Sequence, residues 1–308
     1  MSNPVCLVSG SSSGIGAATV RTFARQGYDV VVNYNSGADR AEAVARQIRD
    51  THGVEALVVG ADLSQRDEPH RLVDAAYDHF GRLDVTVSNS GVANYLRDRS
   101  GELVRHRFDE TPIEHLDAEM ERVLSLNLMG AYRLGQRSLQ RMIEQAKSEL
   151  ASQSGNPPPQ HRSILFITSI SDVAPESTRI PYGVSKAAVN HLVTGAALDG
   201  GRYNVTVNAL RPGVVDTPLT DRPSGIMDPQ SGEELTVAQT YELMAVGGSQ
   251  PIQRIGTPDE IAEAAYAFTR IPFMTGQLVA VDGGFTLASG FQNRDLFLQE
   301  GLKRRKRG

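Results

Sequence analysis

Short apolar runs alternate with longer amphipathic stretches along nearly the whole chain, and this rhythm restricts the fold more than any other feature. The runs fall at 5–9, 29–33, 56–59, 84–88, 163–168, 205–210 and 277–281 and are rich in Val, Ile and Leu. They lack a regular polar–apolar alternation, as strands covered on both faces do. Helical periodicity occupies 15–26, 38–50, 69–80, 116–150, 181–198 and 258–269. Strand and helix in alternation give parallel strands with right-handed helical crossovers. The expected architecture is therefore α/β: a doubly wound, seven-stranded parallel sheet with helices on both faces. With 308 residues, 40% of them hydrophobic, the chain can build it as one domain over 1–290, leaving 291–308 as a C-terminal tail.

Charge and cysteine content remove several classes of function. The net charge is −5, so the body lacks the basic footprint of a nucleic-acid-binding protein. The one basic block, Lys303-Arg304-Arg305-Lys306-Arg307, reads as a solvated, frayed terminus. The single cysteine stands in the apolar run Val5-Cys6-Leu7-Val8 and is expected to be a buried small hydrophobe. One cysteine makes neither a disulfide framework nor a cysteine zinc site, and no metal centre is expected. The N-terminus enters an apolar strand without a charged leader, and no run approaches the length of a membrane span. The expectation is a cytoplasmic protein with a small-molecule substrate.

The first strand runs directly into Ser9-Gly10-Ser11-Ser12-Ser13-Gly14-Ile15-Gly16, and a helix follows. Gly10 allows a tight turn. Gly14 and Gly16 let backbone approach a pyrophosphate and let the helix pack on the sheet. Free N–H groups at the helix start, in the stretch that holds Ser12, Ser13 and Ile15, would face the phosphates. The spacing is G-x-x-x-G-x-G rather than G-x-G-x-x-G, and no lysine follows to make a P-loop. Its place between the first strand and the first helix marks a Rossmann-like dinucleotide site. Such folds commonly end the second strand with an acid that holds the ribose 2′-hydroxyl. Here that end reads Val31-Val32-Asn33-Tyr34-Asn35-Ser36. No carboxylate repels a 2′-phosphate, Asn35 and Ser36 can donate to one, and Arg40 follows closely. NADP(H) is the expected preference, with NAD(H) as the alternative, and Tyr34 belongs to the same strand end.

Tyr182 and Lys186 stand in Pro-Tyr-Gly-Val-Ser-Lys-Ala-Ala. A spacing of four puts both on one helix face, one turn apart. A phenol beside an ammonium ionises more readily, because the positive charge favours phenolate. Such a group can take or give a proton near neutral pH. A surface tyrosine packed over a lysine stem would show the same spacing, so the pair by itself leaves both readings open.

Taken in order, Gly10/Gly14/Gly16, Ser88-Asn89-Ser90-Gly91, Asn127, Ser169, Tyr182/Lys186, Arg211-Pro212-Gly213 and Val281-Asp282-Gly283-Gly284 resemble a short-chain dehydrogenase/reductase. The likeness is to the branch that includes 3-oxoacyl-carrier-protein reductases and glucose dehydrogenases, and it spans about residues 4–288. The resemblance implies that Tyr182 is the general acid for reduction and the base for oxidation. Lys186 would lower its pKa and bond the nicotinamide ribose. Ser169, thirteen residues before Tyr182, would polarise the substrate oxygen, with Ser171 as its rival. Asn127 would order the water that links Lys186 to solvent. The resemblance also carries cofactor contacts to Asp62 and Leu63, to Asn89, Ser90 and Gly91, and to Pro212, Gly213, Val215 and Thr217. Ser88 and Ser90 depart from the family's usual Asn-Asn-Ala-Gly, a change that backbone contacts should survive. It further implies a homotetramer through the helices at 116–150 and 181–198.

Three segments break the rhythm. Residues 152–160 form a Pro-rich loop, and 93–112 is a charged insertion holding Arg97, Arg99, Arg105, His106 and Arg107, readable as an anion-binding substrate wall or as solvated loop charge. Residues 217–251 are long and irregular, at the strand ends where open α/β sheets bind ligands. Both insertions are candidate substrate segments, and 217–251 is a candidate lid. The leading expectation is interconversion of a ketone and a secondary alcohol, on a 3-oxoacyl thioester or a sugar or polyol. A sugar predicts a polar cleft, and an acidic acyl carrier predicts a basic patch. The alternative of another class is a non-catalytic dinucleotide-binding sensor on the same fold. A sugar-nucleotide epimerase is disfavoured, since it would carry a larger C-terminal domain.

Overall fold

The computed structural model describes residues 2–93, 96–97, 103–104, 109, 111–152, 159–176, 179–288 and 293–305. In chain order the first half contains β1 (Val5–Val8), α1 (Gly14–Arg25), β2 (Asp29–Tyr34), α2 (Ala38–His52), β3 (Ala56–Gly60), α3 (Glu68–Phe80) and β4 (Val85–Ser88). Two short strands, β5 (Leu96–Arg97) and β6 (Leu103–Val104), pair antiparallel. The second half contains α4 (Ile113–Leu124), α5 (Ala131–Ser152), β7 (Arg162–Ile167), α6 (Ile180–Gly201), β8 (Val205–Pro212), β9 (Pro223–Met227), β10 (Glu234–Thr236), α7 (Val237–Met244), α8 (Pro258–Thr269), β11 (Leu278–Val281) and α9 (Arg294–Arg305).

The seven apolar runs form one sheet in the order β11-β8-β7-β4-β1-β2-β3, with every neighbour parallel. Successive residues point to opposite faces. Leu7 and Val31 therefore enter one core with Leu72, Leu134 and Phe166, while Cys6, Val30 and Val32 enter the other with Phe23 and Ile48. Fully burying a side chain such as Phe166 contributes about 1.5–3 kcal/mol. Helix ends follow local chemistry. Gly53 and Gly81 close α2 and α3 in the left-handed region. Thr257 and Glu260 form a capping box on α8, with Pro258 in the first turn. This is a single-domain, Rossmann-like fold.

Three expectations need correction. The helix expected over 116–150 is two helices, α4 and α5, joined by a π-helical turn at Ser125–Gly130. The stretch 217–251 is not irregular: β9 and β10 pair antiparallel, and α7 follows behind a Thr236/Gln239 capping box. The terminus is not frayed over its described part. Helix α9 buries Leu298 and Leu302 against Leu243, Met244 and Tyr241. Arg305 pairs with both oxygens of Asp228, at 2.8 and 2.9 Å, and Arg304 donates to the Val246 carbonyl at 3.1 Å. The basic run thus spends part of its charge on a docked helix. Arg99, Arg105, His106, Arg107, Lys306 and Arg307, the side chain of Arg97, and most of the Pro-rich loop lie outside the described residues.

Candidate active site

The C-terminal ends of the central strands open into one cleft of about 380 Å³. It lies where the strand order reverses between β1 and β4, the usual ligand position in such sheets. Gly10 there has φ +61°, a conformation that glycine adopts without steric cost. A Cβ on Gly16 would collide with the Gly10 carbonyl and lie 2.6 Å from Asn89 Nδ2. Buried polar groups fix the loop from below. Asn33 Oδ1 accepts from the Gly10 N–H at 2.9 Å, while its Nδ2 donates to the carbonyls of Val59 and Ala61 at 3.1 and 3.3 Å. Ser9 Oγ accepts from the N–H groups of Asn89 and Ser90 at 2.9 and 3.0 Å, joining the ends of β1 and β4. The result is a tight backbone cradle at the start of α1, and its small residues fit a dinucleotide pyrophosphate.

Every residue expected to touch the cofactor lines this cleft except Gly16 and Tyr34. Gly16 sits beneath the loop. Tyr34 packs over Gly60, where an added Cβ would lie 2.9 Å from its Cζ and Oη. Asp62 lines the cleft but does not cap α3; its Oδ1 accepts from the N–H and hydroxyl of Ser64 at 3.0 and 2.8 Å.

Ser169, Tyr182 and Lys186 line the same cleft. Lys186 is 5% exposed. Its Nζ donates to the Ile167 carbonyl at 3.2 Å and lies 5.5 Å from the Tyr182 ring centroid. The surface reading of the pair therefore fails, since the lysine is buried at the end of β7. Ser169 Oγ lies 3.0 Å from Ser171 Oγ and accepts from the Ser171 N–H at 3.1 Å. Three residues on, Asp172 Oδ2 accepts from Asn190 of α6 at 2.8 Å and from Arg211 of β8 at 3.0 Å. The serine-bearing turn is thereby tied to the helix that carries Tyr182.

Asn127 stands behind the cleft, in the π-helical turn. Its side chain accepts from Val92 N–H at 2.8 Å and donates to Val92 O at 2.9 Å. It also donates to Ser185 Oγ at 3.1 Å, and Ser185 donates to the Tyr182 carbonyl at 2.7 Å. A methyl on Gly91 would lie 3.3 Å from Asn127 Oδ1 and 3.4 Å from Lys186 Nζ. The extra backbone residue of a π turn, a frequent feature of functional sites, brings Asn127 to the loop after β4. Sequence reasoning missed Ser185 and Asn33, whose only signal was a polar residue inside an apolar pattern. It also missed Arg179 and Tyr241, which line the cleft, Arg179 with its guanidinium over the Tyr182 ring.

A hydroxyl, a phenol and a buried ammonium thus share one cleft with the glycine cradle, an arrangement chemically able to pass a proton. A family model for short chain dehydrogenases matches residues 4–224. The chain belongs to that family. A cis-4-hydroxycyclohexanecarboxylate dehydrogenase from Sinomonas cyclohexanicum is 33% identical, the match covering 92% of this chain and 96% of that protein. A 3beta-hydroxysteroid dehydrogenase from Eggerthella lenta is 30% identical over 93% of this chain and 95% of that one. Among solved structures, 3-oxoacyl-[acyl-carrier protein] reductase from Brucella melitensis, in complex with NAD, superposes with a TM-score of 0.74 at 26% identity. That superposition covers 94% of this chain and 99% of the other. Family membership makes the protein an oxidoreductase. No helix among the described residues is long and apolar enough to cross a membrane.

Proposed function

We propose that this chain interconverts a ketone and a secondary alcohol with NADP(H), with Ser169, Tyr182, Lys186 and Asn127 as its working residues. The observation that carries this reading is the meeting of Ser169, Tyr182 and buried Lys186 beside the glycine cradle. When bound, the nicotinamide supplies or accepts the hydride. In the reducing direction Ser169 holds the carbonyl oxygen and Tyr182 gives it a proton as the carbon gains the hydride. Buried Lys186, its Nζ 5.5 Å from the Tyr182 ring centroid, sets a positive charge beside that phenol, and Asn127 organises the backbone behind it. The NADP(H) preference rests on Asn35, Ser36, Gly37 and Arg40, which line the β2 end of the cleft without a carboxylate among them. Arg40 folds over Gly37, where an added Cβ would lie 2.5 Å from its Nη2.

We read 217–251 as the substrate segment and lid, since Thr217, Leu219, Val237 and Tyr241 line the cleft. The insertion at 93–112 is read as a second substrate segment. A homotetramer through α5 and α6 is supported by exposed Tyr132 and Val184, whereas Leu192 packs into the core; light scattering tests it. The function is tested by NADP⁺ and NAD⁺ reduction against sugars, polyols, 3-hydroxyacyl thioesters and hydroxy acids. Turnover that persists in Tyr182→Phe, or none with any of these alcohols, refutes the reading.

A further inference from the structure

The charges that line the cleft divide by position. Arg40 and Asp62 stand at the β2 and β3 ends, in the cofactor half. Arg179 and Lys186 stand beside Tyr182, and among the described lining residues no carboxylate accompanies them. The guanidinium carbon of Arg179 lies 5.5 Å from the Tyr182 ring centroid, so the cation borders the reacting group. Glu176 stands 3.7 Å from Arg179 but does not line the cleft. Its carboxylate accepts from the Tyr241 hydroxyl at 3.2 Å. Around them the walls mix apolar Ile170, Val214, Leu219 and Val237 with the hydroxyl groups of Ser171, Thr217, Thr220 and Tyr241. A substrate that carries one negative group matches the cation beside Tyr182.

We propose that the cleft selects carbonyl and alcohol substrates that carry a carboxylate, with Arg179 as the residue that reads it. This rests on the oxidoreductase reading above and names the substrate class for it. A guanidinium offers five N–H donors in a planar fork. It can keep its place near Glu176 while its cleft-facing edge binds a carboxylate with charge-assisted hydrogen bonds. The carboxylate is thereby held at a fixed distance from Tyr182, which selects hydroxy and keto acids whose carbonyl reaches the phenol. Neutral analogues of the same shape lose that anchor.

The test uses the full chain with NADPH and two matched probe pairs. Levulinate and levulinamide are compared by kcat/KM in wild type, Arg179→Gln and Arg179→Lys. Cyclohexanecarboxylate and cyclohexanecarboxamide, which cannot react, are compared by calorimetric titration. In wild type the carboxylate should be favoured by roughly 10- to 100-fold in both assays, the range for a hydrogen bond to a charged group. The ratio should fall toward one in Arg179→Gln and be partly kept in Arg179→Lys. Equal use of levulinate and levulinamide by the wild type overturns the inference while leaving the reaction reading intact. Arg179-dependent binding of cyclohexanecarboxylate without turnover of any carbonyl would sink the reaction reading and with it the substrate assignment, leaving Arg179 as a carboxylate-binding residue only. A carboxylate preference that survives Arg179→Gln, or no carboxylate-dependent binding at all, overturns it.

Discussion

The glycine cradle and the β9–β10–α7 segment face one cleft, yet they are fixed by different forces. In the cradle, Asn33, Ser9 and Asn89 join neighbouring strand ends through buried hydrogen bonds of 2.9–3.3 Å. Removing one partner leaves another unpaired, at a cost of about 1–3 kcal/mol. The β9–β10–α7 segment has no strand in the main sheet. Val237 and Tyr241 line the cleft, while Leu243 and Met244 pack on Leu298 and Leu302 of α9. Glycines set that docking distance: a Cβ on Gly247 would strike the Phe297 carbonyl, and one on Gly301 the Leu243 carbonyl. The cofactor side is thus built into the sheet, and the facing wall is an appended unit held by a helix from the chain terminus. Such a wall can change shape without disturbing the cradle.

Substitutions can break this contrast, and the largest effect is expected at the shared centre. Tyr182→Phe should lower kcat by about 10²–10⁴-fold, the range for a lost general acid, while cofactor affinity measured by fluorescence titration stays near wild type. Substantial residual turnover would remove the phenol from the mechanism. Next comes Arg40→Gln, which should cut the NADPH-over-NADH preference by roughly 10- to 100-fold with little change in KM for the carbonyl. A wild type whose melting temperature rises more with NADH than with NADPH would reverse that assignment.

Gly301→Ala probes the opposite wall. Its added methyl should force α9 away from α7 at a cost of about 1–3 kcal/mol. The expected signature is a raised KM for substrate, a lower melting temperature and unchanged cofactor affinity. If NADPH binding weakens in step with KM, the two sides are one unit and the contrast fails.

The smallest effect should appear in acid, away from both regions. Asp74 accepts from Arg137 and Arg141, and Glu149 pairs with buried Arg162. Burial, the largest single influence, would raise both carboxyls; the hydrogen bonds and charges of Arg137 and Arg141 together hold Asp74 below its ordinary value, and the Arg162 hydrogen bond, the Gln160 N–H and the charges of Arg162 and Arg82 together do so for Glu149. Depressed folded values mean stability that is complete above the unfolded values near 4 and is lost as pH falls through the folded ones. The melting temperature should therefore drop in that acid range, and Asp74→Asn should flatten part of the drop. An acid limb identical to wild type would show that Asp74 does not contribute.

The glycine loop and the seven strands were legible because their signals are local. Gly10, Gly14 and Gly16 sit within seven consecutive residues, and each strand is a continuous apolar run. The kink at Asn127 was not legible, since 116–150 keeps a helical pattern through Ser125-Leu126-Asn127. Helix α9 was hidden by its own charge. Leu298 and Leu302, four apart, mark its buried face with partly buried Phe297, a short signal beside Lys303-Arg304-Arg305, so the basic run dominated the reading. Arg179 stands only three residues before Tyr182, whereas no local pattern brings Tyr241 into the same cleft.

The sequence by itself determined the parallel sheet, the cradle and the Tyr182–Lys186 pair, because strand burial, glycine geometry and a one-turn helix spacing act over a few residues. Tertiary structure alone decided which charges line the cleft and what holds the β9–β10–α7 wall. Those depend on contacts between Arg179, Glu176 and Tyr241, and between Gly247, Gly301 and their carbonyl neighbours. The Glu176–Arg179 pair is itself local, three residues apart, but Tyr241 and the carbonyl neighbours of Gly247 and Gly301 arrive only after the chain has closed loops of tens of residues.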